Sequence, residues 1–110
     1  MKKTILLSII TTLLCIFMHA QTGTPGLSFN LINNGTAYEV SVGIATASHI
    51  EIPPTHNGLP VTWIANHGFQ HTVWVTTVSI PNSITVIGEF AFFSSGLTSV
   101  VIPNKLYHYL

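Results

Sequence analysis

Aspartate and arginine are both absent from this chain of 110 residues, and charged residues of all kinds make up 5% of it. Without arginine there is no planar fork to clamp a phosphate or carboxylate, and without aspartate the usual carboxylate that orients a catalytic histidine is missing. Glutamate can substitute, but Glu39, Glu51 and Glu89 stand at no spacing from serine and histidine that resembles a known nucleophilic site. Gly26-Leu27-Ser28-Phe29-Asn30 opens like a nucleophile elbow and then has asparagine where the closing glycine belongs. These absences lead us to expect a protein that is not an enzyme. Lysine is also scarce, with Lys2, Lys3 and Lys105 the whole set, so the clustered positive charge that phosphate backbones demand is missing and nucleic acid is excluded as a partner. The only cysteine, Cys15, rules out an internal disulfide and thiolate metal sites. With 47% hydrophobic residues the chain is nevertheless too apolar to be disordered.

The apolar content is concentrated first at the N-terminus. Lys2 and Lys3 precede a run from Ile5 to Met18, followed by His19-Ala20 and the polar Gln21-Thr22-Gly23. That order is a secretory signal peptide over residues 1–20 with cleavage after Ala20, and the run falls short of the about 20 apolar residues that span a bilayer. A lipid anchor on Cys15 is disfavoured, because Leu13 and Leu14 stand where small residues are wanted. The expectation is an exported protein, secreted or at the cell surface, with no membrane span after cleavage. The mature chain keeps Lys105 against three glutamates and relies for solubility on Ser, Thr, Asn and His.

After a flexible linker expected over 21–26, Leu27–Leu31 and Ala37–Val42 alternate apolar and polar residues on either side of Asn33-Asn34-Gly35-Thr36. An Asn-Gly pair between alternating runs signals a β-hairpin, since both residues tolerate positive φ. The hairpin is expected over 27–44, with Phe29, Leu31, Tyr38 and Val40 on its buried face and the role of a cap on the remainder of the chain.

Residues 45–110 repeat themselves. Ile50-Glu51-Ile52-Pro53 recurs as Val78-Ser79-Ile80-Pro81 and as Val100-Val101-Ile102-Pro103, and Val61-Thr62-Trp63-Ile64-Ala65-Asn66-His67-Gly68-Phe69 aligns with Ile84-Thr85-Val86-Ile87-Gly88-Glu89-Phe90-Ala91-Phe92. The longer first interval holds an insertion around Pro54-Thr55-His56-Asn57-Gly58, read as a surface loop in which His56 is solvated. In each unit branched residues at alternate positions suit a strand, and proline ends it for want of an N–H. Val100 and Ile102 are expected to point inward, and Gly88 to permit a tight corner. A single unit cannot bury its apolar face, whereas stacked units can. Two units and the start of a third are present, so the chain reads as a short or truncated array.

The pattern Leu-x-x-Val-x-Ile-Pro-Asn-Ser-Val-Thr-x-Ile-Gly-x-x-Ala-Phe, seen as Val78 to Phe92 with Ile84 for the second valine, resembles the BspA-like leucine-rich repeat of bacterial and protozoan surface proteins. The resemblance covers about His49 to Asn104. It implies a right-handed leucine-rich-repeat solenoid, with a parallel β-sheet on the concave face and loops or short helical turns on the other. It also implies a secreted or surface-attached adhesion and protein-binding role, with no catalytic residue and no cofactor.

Within that frame the outward strand positions His49, Glu51, Thr77, Ser79, Ser99 and Val101 alternate with the buried ones and are the candidate partner-binding face. Trp63 and Trp74 are further candidates, because an exposed indole can anchor a protein contact or stack on a sugar. The less favoured alternatives are carbohydrate binding through Trp63 and Trp74, metal binding through His49, His67 and His71, and a structural fragment that self-associates through the apolar edge strand at Val100–Ile102. Against a metal, His67 falls in the slot held by Phe90 in the next unit, and His71 in a connection.

Overall fold

The computed structural model of the chain describes residues 23–102 and 108–109; the expected signal peptide lies outside them. The elements are all strands: β1 (Ser28–Ile32), β2 (Ala37–Ser41), β3 (His49–Glu51), β4 (Thr55–His56), β5 (Leu59–Ile64), β6 (Thr77–Ser79), β7 (Val86–Ile87), β8 (Ser99–Val101) and β9 (His108–Tyr109).

The hairpin forms where the Asn-Gly signal puts it. β1 pairs antiparallel with β2 from Ser28↔Ser41 to Ile32↔Ala37, and the turn between them carries φ of 52° at Asn33, 56° at Asn34 and 81° at Gly35. Its strands place Phe29 opposite Val40 and Leu31 opposite Tyr38, so the four expected residues share one face. They are not equally buried: Val40 is fully enclosed, Phe29 and Tyr38 are half-buried, and Leu31 is 57% exposed. Leu31 departs from expectation because β1 is an edge strand among the described residues, whereas Tyr38 opposite it on β2 is also flanked by Val61 of β5.

From β2 onward the chain coils, and each coil gives one strand to each of two sheets. One sheet runs β1-β2-β5-β7-β9 with β4 attached to β5, parallel apart from the β1–β2 and β4–β5 pairs; the other is β3-β6-β8, parallel throughout. The first coil is thus β2 with β3, the second β5 with β6, the third β7 with β8, and β9 opens a fourth. The residue pattern points only to the three-stranded sheet, with loops or helical turns opposite it. Instead, strands of the larger sheet stand on that side, because the Val61–Ile64 and Ile84–Ile87 segments pair with each other, Trp63↔Val86 and Ile64↔Ile87, in the register of the repeat alignment.

The core lies between the two sheets. Val40, Ile50, Val61, Ile64, Phe69, Val75 and Ile84 are all at 0% exposure, each contributing about 1.5–3 kcal/mol of burial. The connections from the larger sheet to the smaller one are also laddered: His67, Phe69 and His71 donate their N–H groups to the carbonyls of Glu89, Ala91 and Phe93 at 2.8, 2.7 and 2.9 Å. Phe69 and Phe92 stack with centroids 5.3 Å apart, so the same aromatic position fills the space between coils. Thr72 is buried in the connection and donates its hydroxyl to the Phe69 carbonyl at 2.6 Å. Gly88 is required by proximity rather than by φ: a Cβ there would lie 2.6 Å from Asn66 N and 2.7 Å from the Ile64 carbonyl oxygen.

The insertion is not a loose loop. Thr55–His56 pairs antiparallel with Leu59–Pro60 about the turn Asn57-Gly58, both at positive φ. His56, expected to be solvated, stacks on Phe29 at 3.9 Å and meets Tyr38 edge-on at 4.9 Å. The insertion is thereby pinned to the N-terminal hairpin, a long-range contact that no local pattern encodes.

Candidate functional site

Parallel pairing of β3, β6 and β8 aligns His49↔Thr77↔Ser99 in one row and Glu51↔Ser79↔Val101 in another. Between them runs Ile50↔Val78↔Val100, whose side chains point to the opposite face because strand side chains alternate. Six of the eight candidate residues therefore form a two-row, three-strand patch. His49, Glu51, Ser99 and Val101 are exposed in it, and Thr77 and Ser79 are half-exposed.

The patch has internal order at its β3 end. The His49 Nδ1 lies 2.5 Å from Thr77 Oγ1 and its Nε2 lies 3.3 Å from Glu51 Oε2, so one imidazole ties adjacent coils and adjacent rows together. The His49 and Glu51 side chains are 61% and 58% exposed, so water screens this pair and its contribution to stability is small. Hydroxyl, imidazole and carboxylate in a line resemble a nucleophilic triad in connectivity, but they stand on an open sheet face that does not exclude water. Their chemistry is hydrogen bonding: donors and acceptors held at the spacing of the strands.

The tryptophans lie elsewhere. Trp63 is on β5 in the larger sheet, half-buried between Glu39 and Val86, and Trp74 is in the connection that follows Thr72, 43% exposed. Neither joins the six-residue patch. The three histidines of the metal alternative also separate, since His49 is committed to Thr77 and Glu51 while His67 and His71 both bond to Gln70 in the connection. Among the described residues no group of three or more His, Cys, Asp or Glu is disposed to hold a metal ion, and no helix is long and apolar enough to cross a membrane. His67 stacks on Phe90 at 5.5 Å, in keeping with the equivalence of their slots in the repeat alignment.

Sequence reasoning missed Thr24. Gly23–Gly26 reads as part of a linker, yet Thr24 lies alongside β3, donating its N–H to the Glu51 carbonyl at 2.9 Å and accepting the Glu51 N–H on its hydroxyl at 2.6 Å. Nothing in the local pattern marks it, because its partner is 27 residues away.

A chain whose coils each add one strand to a short parallel sheet, closed by an apolar row and an Ile-Pro step, has a leucine-rich-repeat fold. Solved structures bear this out. A Treponema pallidum leucine-rich repeat protein superposes with a TM-score of 0.71 at 24% identity, over 78% of this chain and 41% of that one. A Bacteroides ovatus leucine-rich repeat protein gives 0.58 at 27% identity, over 74% of this chain and 23% of that one. One from Bacteroides capillosus gives 0.63 at 24%, over 74% and 64%. The chain spans less than two thirds of the length of each. No protein-family model and no curated protein matches it.

Proposed function

We propose that this protein is a non-enzymatic, exported interaction module that binds a protein partner on the outward face of β3, β6 and β8. The observation that carries the reading is the alignment of His49, Glu51, Thr77, Ser79, Ser99 and Val101 into two exposed rows of mainly polar groups on a rigid sheet. Binding residues on strands are held more accurately than those on loops, and a flat hydrogen-bonding surface suits a macromolecule better than a small substrate. Export is inferred from the N-terminal sequence pattern, with cleavage after Ala20. In this reading the β1–β2 hairpin acts as the cap of a right-handed solenoid, its second strand also serving the first coil in the larger sheet, and no cofactor takes part.

The test is quantitative. A partner captured from extracellular or cell-surface protein would be purified and titrated against the wild type, a face variant (His49→Ala with Thr77→Ala and Ser99→Ala) and the control Trp74→Ala. Loss of about tenfold or more in affinity in the face variant alone, equivalent to about 1.4 kcal/mol, is the expected result. Loss confined to Trp74→Ala would overturn it and move the site to the connection, where a sugar-stacking role takes precedence.

A second reading, that the chain is an assembly piece, is favoured by one observation: among the described residues β8, the last strand of the small sheet, is apolar and exposed, with Val101 at 66%.

A further inference from the structure

Two Asn-Gly pairs stand in the chain, Asn34-Gly35 in the turn of the β1–β2 hairpin and Asn57-Gly58 in the turn of the insertion. Locally they are twins. Both pairs are exposed, all four residues have φ between 49° and 81°, and a Cβ on either glycine would meet nothing within 4 Å. The hydrogen bonds around them are not alike. Gly35 donates its N–H to the Ile32 carbonyl at 3.1 Å, Thr36 donates its N–H to the Ile32 and Asn33 carbonyls at 3.2 and 3.3 Å, and the Thr36 hydroxyl donates to the Asn33 carbonyl at 2.8 Å. The Gly58 N–H has no hydrogen-bond partner among the described residues. The Asn57 amide is held there by one long bond, from Nδ2 to the Tyr38 hydroxyl at 3.5 Å.

That difference bears on a reaction the chain can carry out on itself. The backbone nitrogen that follows an asparagine, once it has given up its proton, can attack the side-chain carbon Cγ. A C–N bond forms and closes a succinimide ring, the Cγ–Nδ2 bond breaks, and the amide nitrogen leaves as ammonia carrying the proton. Water then opens the ring, its hydroxyl adding to one of the two ring carbonyl carbons and its hydrogen returning to the backbone nitrogen. Opening at Cγ gives aspartate; opening at the main-chain carbonyl gives isoaspartate, in which the main chain runs through the side-chain methylene. Glycine obstructs the attack least because it has no Cβ, and Asn30, Asn33, Asn66 and Asn82 are each followed by a residue that has one. Nitrogen and Cγ must also be brought together, so a turn held by fewer hydrogen bonds opens to the reactive geometry more often. A nitrogen whose hydrogen is bonded to a carbonyl gives that hydrogen up less readily.

We propose that Asn57 is a site of spontaneous covalent conversion to aspartate and isoaspartate by way of the Gly58 nitrogen, and that Asn34, with the same glycine after it, is spared by its bonded turn. The place of Asn57 gives the reaction a structural consequence. Conversion puts a carboxylate where a neutral amide stood, next to His56 and beside the Tyr38 hydroxyl, and isoaspartate also lengthens the main chain of a two-residue turn. The Thr55↔Pro60 and His56↔Leu59 register depends on that turn, and the stack of His56 on Phe29 depends on the register. The modification therefore loosens the pin between the insertion and the N-terminal hairpin. Neither Asn-Gly pair lies on β3, β6 or β8, so the inference stands or falls separately from the face assigned to a partner.

Ageing the folded protein at mildly alkaline pH tests the assignment. Peptide mapping by mass spectrometry reads conversion as the mass gained when NH gives way to O, and chromatography separates the isoaspartate peptide from the aspartate one. The expected result is conversion at Asn57 several times faster than at Asn34. In the urea-unfolded chain the two rates should converge, because each asparagine then has the same glycine and no turn. Gly58→Ala should slow conversion at Asn57, folded or unfolded, and leave Asn34 unchanged. In the converted protein, amide exchange should quicken over residues 55–60. A folded chain in which Asn34 keeps pace with Asn57, an Asn57 that stays intact while the unfolded chain converts, a rate ratio that persists in urea, or unchanged exchange over 55–60 after conversion would each overturn the proposal.

Discussion

The first two coils and the third are written in nearly the same residues and live in different surroundings. Ile52, Ile80 and Ile102 are equivalent, as are Ile50, Val78 and Val100, yet burial is near complete in the first two members of each row and partial in the third. Phe69 is enclosed, and its equivalent Phe92, stacked on it, is half-buried. A repeat's apolar residues therefore specify which coil-to-coil contact they are made for, while the neighbour decides whether that contact is completed.

The sharpest way to break this comparison is to truncate its aromatic row. Phe69→Ala should cost about 3–5 kcal/mol, since the ring is fully enclosed between coils, and should abolish a cooperative melt in so small a domain. Phe92→Ala should cost clearly less in the same urea titration. Equal losses would mean that the third coil is as tightly packed as the second.

The isoleucine row provides a matched pair of the same residue type. Ile80→Ala should lose about 2–5 kcal/mol and Ile102→Ala under about 1 kcal/mol, read from chemical denaturation midpoints. Equal losses would mean that Ile102 is as well covered as Ile80.

Glycines divide the same way. At Gly96 a Cβ would collide with the Val73 carbonyl oxygen, inside the packed connection of the second and third coils, whereas Gly58 at the tip of the insertion has open space around it and a φ of +80°. Gly96→Ala should cost about 1–3 kcal/mol by overpacking against backbone, and Gly58→Ala about 1 kcal/mol by left-handed strain alone. Thermal melting of the two variants checks the order.

The smallest expected effect concerns the closed edge. Thr24→Val removes the acceptor of the Glu51 N–H while keeping the side chain's shape, and should cost about 1 kcal/mol, with faster amide exchange localised at Glu51. Exchange that stays slow at Glu51 would show that another group closes the edge.

The hairpin with its Asn-Gly turn, the parallel strands at 49–51, 77–79 and 99–101, the alignment of Trp63 with Val86, and the six-residue outward face were legible from the chain alone. Each rests on a local rule: residues that tolerate positive φ make the turn, alternation sets the face, and a repeat stacks on itself in register. That a second parallel sheet would stand opposite the first was not legible, because Val86-Ile87 is too short to announce a strand and becomes one through its partners on β5 and β9.

Other features were decided by tertiary structure only. Leu31 alternates correctly and is still exposed, His56 sits in a turn-rich insertion and is still stacked on Phe29, and Thr24 lies in an apparent linker and still closes β3. In each case the deciding partner is distant in sequence, so its effect enters only when the coils are brought together. The sequence by itself determined the repeat, its register and which side chains face outward, because these depend on the backbone period. The three-dimensional arrangement decided which of those side chains are covered and which strand groups find partners, because burial and edge pairing belong to neighbours rather than to residues.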